Sequence, residues 1–343
     1  METKYQKEQR EKQWNLLKEQ HTQNEIFNNA KGNGIWWNKD EKKWETYPWI
    51  LQHQDSLCNL YEGIRENALK YFEQNDISWW RQNEDRYFPT GHLLSSQNHC
   101  LNHLITIQRN EEAVKKIINT LCPTINKVLP SPIDKNIEIK DGKVHRFNSY
   151  ITFEFTCENK TLLKESGEKR GEKCTSVDAL VYAEDNYGKK ILIPIEWKYT
   201  ESYDKTEDKR AFRSSVKRYE SLANKDSSNL KQWIPDYEWD PLYEFARQEL
   251  LMEQIITEHP LCDVGRSKKP LIADDFIHII VRPDGNTEIK NEIDSFRKTI
   301  VDSSKLIEVD PKRLLSPLSS LKDENGKEKY ADLLNYLQKR YWD

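Results

Sequence analysis

The chain has 343 residues, of which 32% are charged, and a formal net charge of −4, with a pI near 6.1. That length is enough to bury a large core, while the near-neutral balance excludes any global attraction to nucleic acid, so such contacts would rest on local basic patches. A mean hydropathy of −0.92 with no long apolar run argues against a membrane span, and six scattered cysteines without a CxxC pair argue against a zinc site or disulfide framework and for a reducing cytosol.

Residues 1–30 are rich in Gln, Glu and Lys, with Trp14, Leu16 and Leu17 as apolar anchors, and read as a peripheral helix. The charged start has no apolar segment, so no signal peptide is expected. Lys31-Gly32-Asn33-Gly34 is a break. An aromatic-rich region follows to about residue 90, with Trp36, Trp37, Trp44, Trp49, Trp79 and Trp80. Exposed tryptophans can stack on bases, but filling the seams of a helical layer is the favoured reading.

Pro89-Thr90-Gly91 is a turn, and Ser95 or Ser96 suits the N-cap of the next helix, which aligns Leu101, Leu104 and Ile105. His99 and His103 stand at i, i+4, a spacing that can ligate metal. No third ligand completes such a site, so two histidines on a polar face are the favoured reading. A second helix around 111–121 presents Val114, Ile117, Ile118 and Leu121 at helical spacing. After Pro130-Ser131-Pro132, the segment Ser149–Cys157 alternates as a strand, the first of three. It carries Glu154 between Phe153 and Phe155, placing that carboxylate either on a solvent face or at a metal.

The stretch from Thr175 to Tyr199 organises the chain. Two apolar, β-branched runs, Thr175–Ala183 and Ile191–Tyr199, flank a turn at 184–188 containing Asn186 and Gly188, residues that tolerate positive φ. Because side chains alternate along a strand, Glu196 and Lys198 share one face, and an antiparallel hairpin brings Asp178 beside them. Neighbouring carboxylates repel, and a hard divalent cation relieves the repulsion. Mg²⁺ typically takes one or two carboxylates plus waters and phosphate. A lysine two residues beyond the second carboxylate can hold a water and stabilise charge on a phosphate. The pattern therefore points to metal-assisted phosphodiester hydrolysis, against the bland reading that a Glu-x-Lys is a solvated surface pair. Pro194 removes a ladder donor within the second run, implying an unpaired or bulged edge there.

Asp178, a hairpin and then Glu196-Trp197-Lys198 resemble the PD-(D/E)XK superfamily of restriction-endonuclease-like nucleases. SSQNHCLNHL at 95–104, TSVDALVY at 175–182, IEWKYTESY at 195–203 and PLYEFARQELL at 241–251 are similar to a subgroup of bacterial members, in order over about 160 residues. The resemblance implies Asp178 and Glu196 as Mg²⁺ ligands (Mn²⁺ substituting), the Trp197 carbonyl as a further ligand, Lys198 as catalytic and Glu154 as an additional acid. Val177 stands where the superfamily often has Pro. Gln97 and Asn102 lie in the matching text and either orient water or phosphate or bond backbone, the latter favoured for Asn102. Gln248 resembles a polar position that some relatives place near the metal.

Two basic segments flank the site. One is Lys169, Arg170 and Lys173; the other is Lys205, Lys209, Arg213 and Lys217, spaced every four residues. A solvated charged face is the usual account of such runs, but beside a phosphodiester site a nucleic-acid track is favoured. Asp240-Pro241 suits the start of a helix with Leu242, Phe245, Ala246, Leu250 and Leu251 as its core stripe. Phe276–Val281 reads as a fourth strand, and helices are expected near 290–302 and 328–341.

The predicted fold is therefore α/β: a restriction-endonuclease-like core at 91–285 with a mixed central sheet. A helical, Trp-rich extension (1–90) and a helical C-terminal extension (286–343) flank it. The function expected is a Mg²⁺-dependent DNA endonuclease of restriction or defence type, cytoplasmic, acting on duplex DNA. A homodimer would supply the two sites a duplex cut requires. Two alternatives stay open: a catalytically silent nuclease fold that binds nucleic acid or a partner, and an exonuclease or RNase using the same site.

Overall fold

A computed structural model of the chain describes residues 2–19, 25–38, 41–80, 88–140, 143–156, 162–165, 174–203, 213–264 and 267–342. The amino-terminal helix α1 (Lys4–Glu19) precedes a hairpin of β1 (Gly34–Asn38) and β2 (Lys43–Tyr47), then α2 (Arg65–Gln74), α3 (Ser96–Leu104) and α4 (Glu111–Leu121). Strand β3 (Ile125–Leu129) and a hairpin of β4 (Ile137–Lys140) and β5 (Lys143–Arg146) lead to β6 (Thr152–Phe155), β7 (Val177–Asp185) and β8 (Lys190–Trp197). Helices α5 (Arg213–Ala223) and α6 (Leu242–Glu258) come next. A third hairpin, β9 (Leu261–Val264) with β10 (Ser267–Pro270), follows, then β11 (Asp275–Phe276), β12 (His278–Val281), α7 (Thr287–Arg297), β13 (Leu306–Val309), α8 (Pro311–Leu315) and α9 (Ala331–Leu337).

Seven of these strands form one mixed sheet. Its path runs β13-β12-β8-β7-β3, with β6 beside β7 and β11 beside β8. The β7–β8 hairpin is the antiparallel centre. Of the two residues expected to permit positive φ in its turn, only Gly188 takes it, at +80°; Asp185 closes the turn by accepting from the N–H groups of Tyr187 and Lys189 at 2.8 and 2.9 Å. On the outer edge of β7, β3 pairs with its C-terminal half and β6 with its N-terminal half. The other edge of β8 carries parallel β12 and then β13. The sheet thus extends beyond the strands read from sequence, at β3 and at β13. Both are short: β3 holds two buried residues across a bulge, and β13 has four residues, too few for alternation to stand out.

Pro194 has the consequence its missing N–H implies. The strand expected at 276–281 is split: β11 stops opposite Leu192, and β12 begins opposite Ile195. The ladder is therefore broken opposite the residue that has no donor.

Two apolar cores sandwich the sheet, giving a three-layer α/β architecture. Leu101 and Leu104 of α3 and Val114, Ile117 and Ile118 of α4 pack with Ala179, Val181, Ile193 and Ile195. On the other face, Phe245, Ala246 and Leu250 of α6 pack with Leu180, Leu192 and Ile280. Ser95 caps α3 by accepting from Asn98 N–H. Helix α6 starts one residue later than predicted, with Pro241 as its cap rather than its first residue. In the Trp-rich stretch, β1 and β2 form a hairpin instead of helix, with Trp37 and Trp44 paired across it edge to face at 5.4 Å.

Candidate active site

The sheet aligns three carboxylates across three strands. One step beyond the last β7–β8 pair, Ala179↔Ile195, stand Asp178 and Glu196. Between the β6–β7 pairs Phe153↔Ala179 and Phe155↔Val177 stand Glu154 and Asp178. Cross-strand neighbours on a sheet lie within about 5.5 Å at Cβ, so Glu154, Asp178 and Glu196 form one acidic row. Glu154 takes φ +49°, a region side chains with a Cβ rarely adopt. The strand's alternation breaks there: Phe153 joins the core under α3, whereas Phe155 joins the core under α6.

Each carboxylate is held. The Trp197 N–H donates to Asp178 Oδ2 at 2.7 Å. Gln97 Nε2 donates to Glu154 Oε1 at 2.7 Å, and Trp80 Nε1 to its Oε2 at 3.4 Å. Gln248 Nε2 donates to Glu196 Oε2 at 2.6 Å, and Lys198 Nζ lies 2.6 Å from Glu196 Oε1. Lys198 also pairs with Glu244, on the first turn of α6. Glu196 and Lys198 are only 3% and 4% exposed, so their charges sit in a poorly screened setting.

Electrostatics follow from this crowding. Burial, reinforced by Glu196 and Glu154, raises the Asp178 pKa well above the usual carboxylate range. Burial and then Glu244 push Glu196 up to about 8, against the opposing pull of Lys198. For Lys198, burial opposes the charge, but Glu196 and Glu244 outweigh it and raise the ammonium's pKa. Glu244 is also burdened by burial, yet Lys198 and Arg247 hold it below the usual value. Elevated carboxylates beside one fixed cation are a mark of functional sites.

No three His, Cys, Asp or Glu side chains among the described residues converge as a ready-made metal cage. The donor chemistry nevertheless fits Mg²⁺, which is satisfied by two carboxylates and completes its shell with water and phosphate oxygens. A second observation supports the fit: Gln248 is fully buried beside Glu196, and its Oε1 has no hydrogen-bond partner. Such an orphaned acceptor suits an ordered water.

The other residues singled out in the sequence divide. Gln97 and Gln248 reach the acidic row, whereas Asn102 bonds Asn59 O, Tyr61 N–H and Tyr341 OH. Lys217 is exposed on α5; Lys169, Arg170, Lys173, Lys205 and Lys209, and the side chain of Arg213, lie outside the described residues. His99 and His103 are not on a polar face. They are buried in an aromatic box where Trp197 Nε1 donates to His99 Nδ1 at 2.6 Å and Trp342 Nε1 to His103 Nε2 at 3.2 Å. Burial lowers both imidazoles, His103 to about 3, and keeps them neutral. Glu244 was not apparent in the sequence, although it stands four residues before Gln248, on the same helical face. Trp80 does not fill a helical seam as expected: it is 57% exposed, with its indole N–H on Glu154.

A family model described as Restriction Endonuclease associating with ARP matches residues 9–342. The chain belongs to that family. The match runs from α1 to the residues beyond α9 and so includes every residue of the acidic row, and the mixed seven-stranded sheet flanked by helices is a restriction-endonuclease-like core. Comparison with curated proteins and with solved structures gave no match. Among the described residues no helix is long and apolar enough to cross a membrane.

Proposed function

We propose that the protein is a Mg²⁺-dependent deoxyribonuclease, an endonuclease of restriction type cutting duplex DNA. The carrying observation is the placement of Asp178 and Glu196 on adjacent strands, with Lys198 buried against Glu196. A divalent cation at Asp178, Glu196 and the Trp197 carbonyl would neutralise phosphate charge and lower the pKa of a bound water. Lys198, held cationic by Glu196 and Glu244, supplies a fixed positive charge for the anionic phosphorane-like transition state and a donor to orient the attacking water. The Trp197 N–H fixes Asp178, Gln248 fixes one oxygen of Glu196, and Gln97 fixes Glu154 as a third acid. The exposed Lys217 and the basic segments that flank the site residues in sequence would follow the DNA backbone.

The six cysteines, scattered without a CxxC pair, support a reducing compartment such as the cytoplasm. A homodimer would supply two active sites for a double-strand cut.

The test uses purified full-length protein with supercoiled plasmid, linear duplex, single-stranded DNA and RNA, in Mg²⁺, Mn²⁺ or EDTA. Asp178→Ala and Lys198→Ala run alongside, checked for folding by circular dichroism. Metal-dependent DNA cutting that both variants lose supports the reading. Cutting retained by the variants, cutting of RNA alone, or DNA binding with no cutting in any metal would each overturn it.

A further inference from the structure

We propose that Trp80 is a stacking platform for an unpaired nucleobase beside the scissile phosphate, so that the enzyme favours DNA with an unstacked base at the cut site. This rests on the nuclease reading above and specifies the substrate of the same site.

Trp80 combines two properties that rarely coincide. Its side chain is 57% exposed, although a tryptophan carries a large apolar payload whose burial is strongly favourable. Yet it is not loosely attached. Its backbone N–H donates to Gln97 Oε1 at 2.9 Å, and its indole N–H reaches Glu154 Oε2 at 3.4 Å. Gln97 in turn donates to Glu154 Oε1 at 2.7 Å, closing a three-residue ring at the acidic row.

The residue before it anchors the main chain. Trp79 is 4% exposed and stacked on Phe72, with ring centroids 3.9 Å apart and planes inclined by 16°. Gln97 Nε2 also reaches Ser78 O at 3.5 Å. The indole is therefore presented to solvent from a fixed base, with its edge committed to Glu154.

Glu154 lies opposite Asp178 in the strand register, so a phosphodiester bound at the acidic row would bring its flanking nucleotide near the indole. A protein aromatic ring stacks readily on any base that is free of its neighbours. A base inside a paired duplex has both faces covered, so engagement requires a base that is unpaired or extruded, at the cost of unstacking. Substrates already unpaired at that position avoid the cost.

Two duplexes of identical length and sequence test this, one fully paired and one with a single unpaired base at the centre. Wild type, Trp80→Ala and Trp80→Phe are compared for cleavage in Mg²⁺ and for binding by fluorescence anisotropy in EDTA. Wild type should favour the unpaired-base duplex. Trp80→Ala should reduce that ratio by roughly 5- to 150-fold, the equivalent of about 1–3 kcal/mol of stacking. Trp80→Phe, which keeps a π-face but loses the N–H bond to Glu154, should retain most of the ratio. A ratio unchanged in Trp80→Ala, or lost equally in Trp80→Phe, overturns the proposal while leaving the nuclease reading intact. If wild type cuts neither duplex, the nuclease reading fails and binding decides. Selective loss of affinity for the unpaired-base duplex in Trp80→Ala then supports the platform, and equal affinities overturn it.

Discussion

Replacing Lys198 by Met keeps the aliphatic stem and removes the only described cation within bonding distance of Glu196, which would then face Glu244 without a shared counter-charge. Removing one partner of a buried ion pair costs about 3–5 kcal/mol, because the charge left behind has lost its solvation. The structure makes that cost depend on pH. Glu196 already has its pKa raised to about 8 with Lys198 present. Without the lysine both Glu196 and Glu244 shift upward, since Lys198 is the main influence holding Glu244 down. A carboxylate with a raised folded pKa is satisfied when protonated, so the stability it permits is present at low pH and is lost as pH rises through the folded value. Lys198→Met should therefore lose about 3–5 kcal/mol relative to wild type at pH 8, and less than about half of that at pH 5, where protonation neutralises the pair. Urea denaturation followed by tryptophan fluorescence, in EDTA at both pH values, measures the difference. An equal loss at pH 5 and pH 8 would mean that packing, not charge, is responsible, and a loss below about 1 kcal/mol at pH 8 would refute the electrostatic account.

Asp178→Asn keeps an oxygen to accept the Trp197 N–H and removes a charge that Glu196 and Glu154 oppose. In EDTA at pH 8 it should be more stable than wild type by about 1 kcal/mol, while cleavage in Mg²⁺ falls at least about 100-fold; thermal melts and plasmid nicking check the two together. Mg²⁺ should raise the melting temperature more at pH 8 than at pH 5, because protons compete with the cation for Asp178 and Glu196 when their pKa values are raised. A shift that is equal at both pH values, or that persists in Asp178→Asn, would place the cation elsewhere. Outside the acidic row, Arg340 is fully buried, donating to Asn59 O and Oδ1, Tyr336 OH and Gln13 Oε1. Arg340→Met should cost about 3–5 kcal/mol by stranding these acceptors, read as a lower urea midpoint with an unchanged slope.

What the sequence determined by itself is local. Alternation along Thr175–Tyr199 put Asp178, Glu196 and Lys198 where strand geometry alone brings them together, and Gly188 at positive φ let the turn close the hairpin. The missing N–H of Pro194 foretold a gap in the neighbouring strand, and a serine before an apolar face marked the start of α3. Each of these depends on residues a few positions apart, so each is written in a short window. The tertiary structure alone decided what surrounds the hairpin. Glu244 meets Lys198 across 46 positions, and Trp80 meets Glu154 across 74. Glu154 joins the row because the backbone turns at positive φ, and His99 and His103 are enclosed because Trp197, Tyr199 and Tyr341 close over them. Such contacts follow from which apolar helix faces dock on which side of the sheet. That choice is made by the summed burial of two cores rather than by any local periodicity.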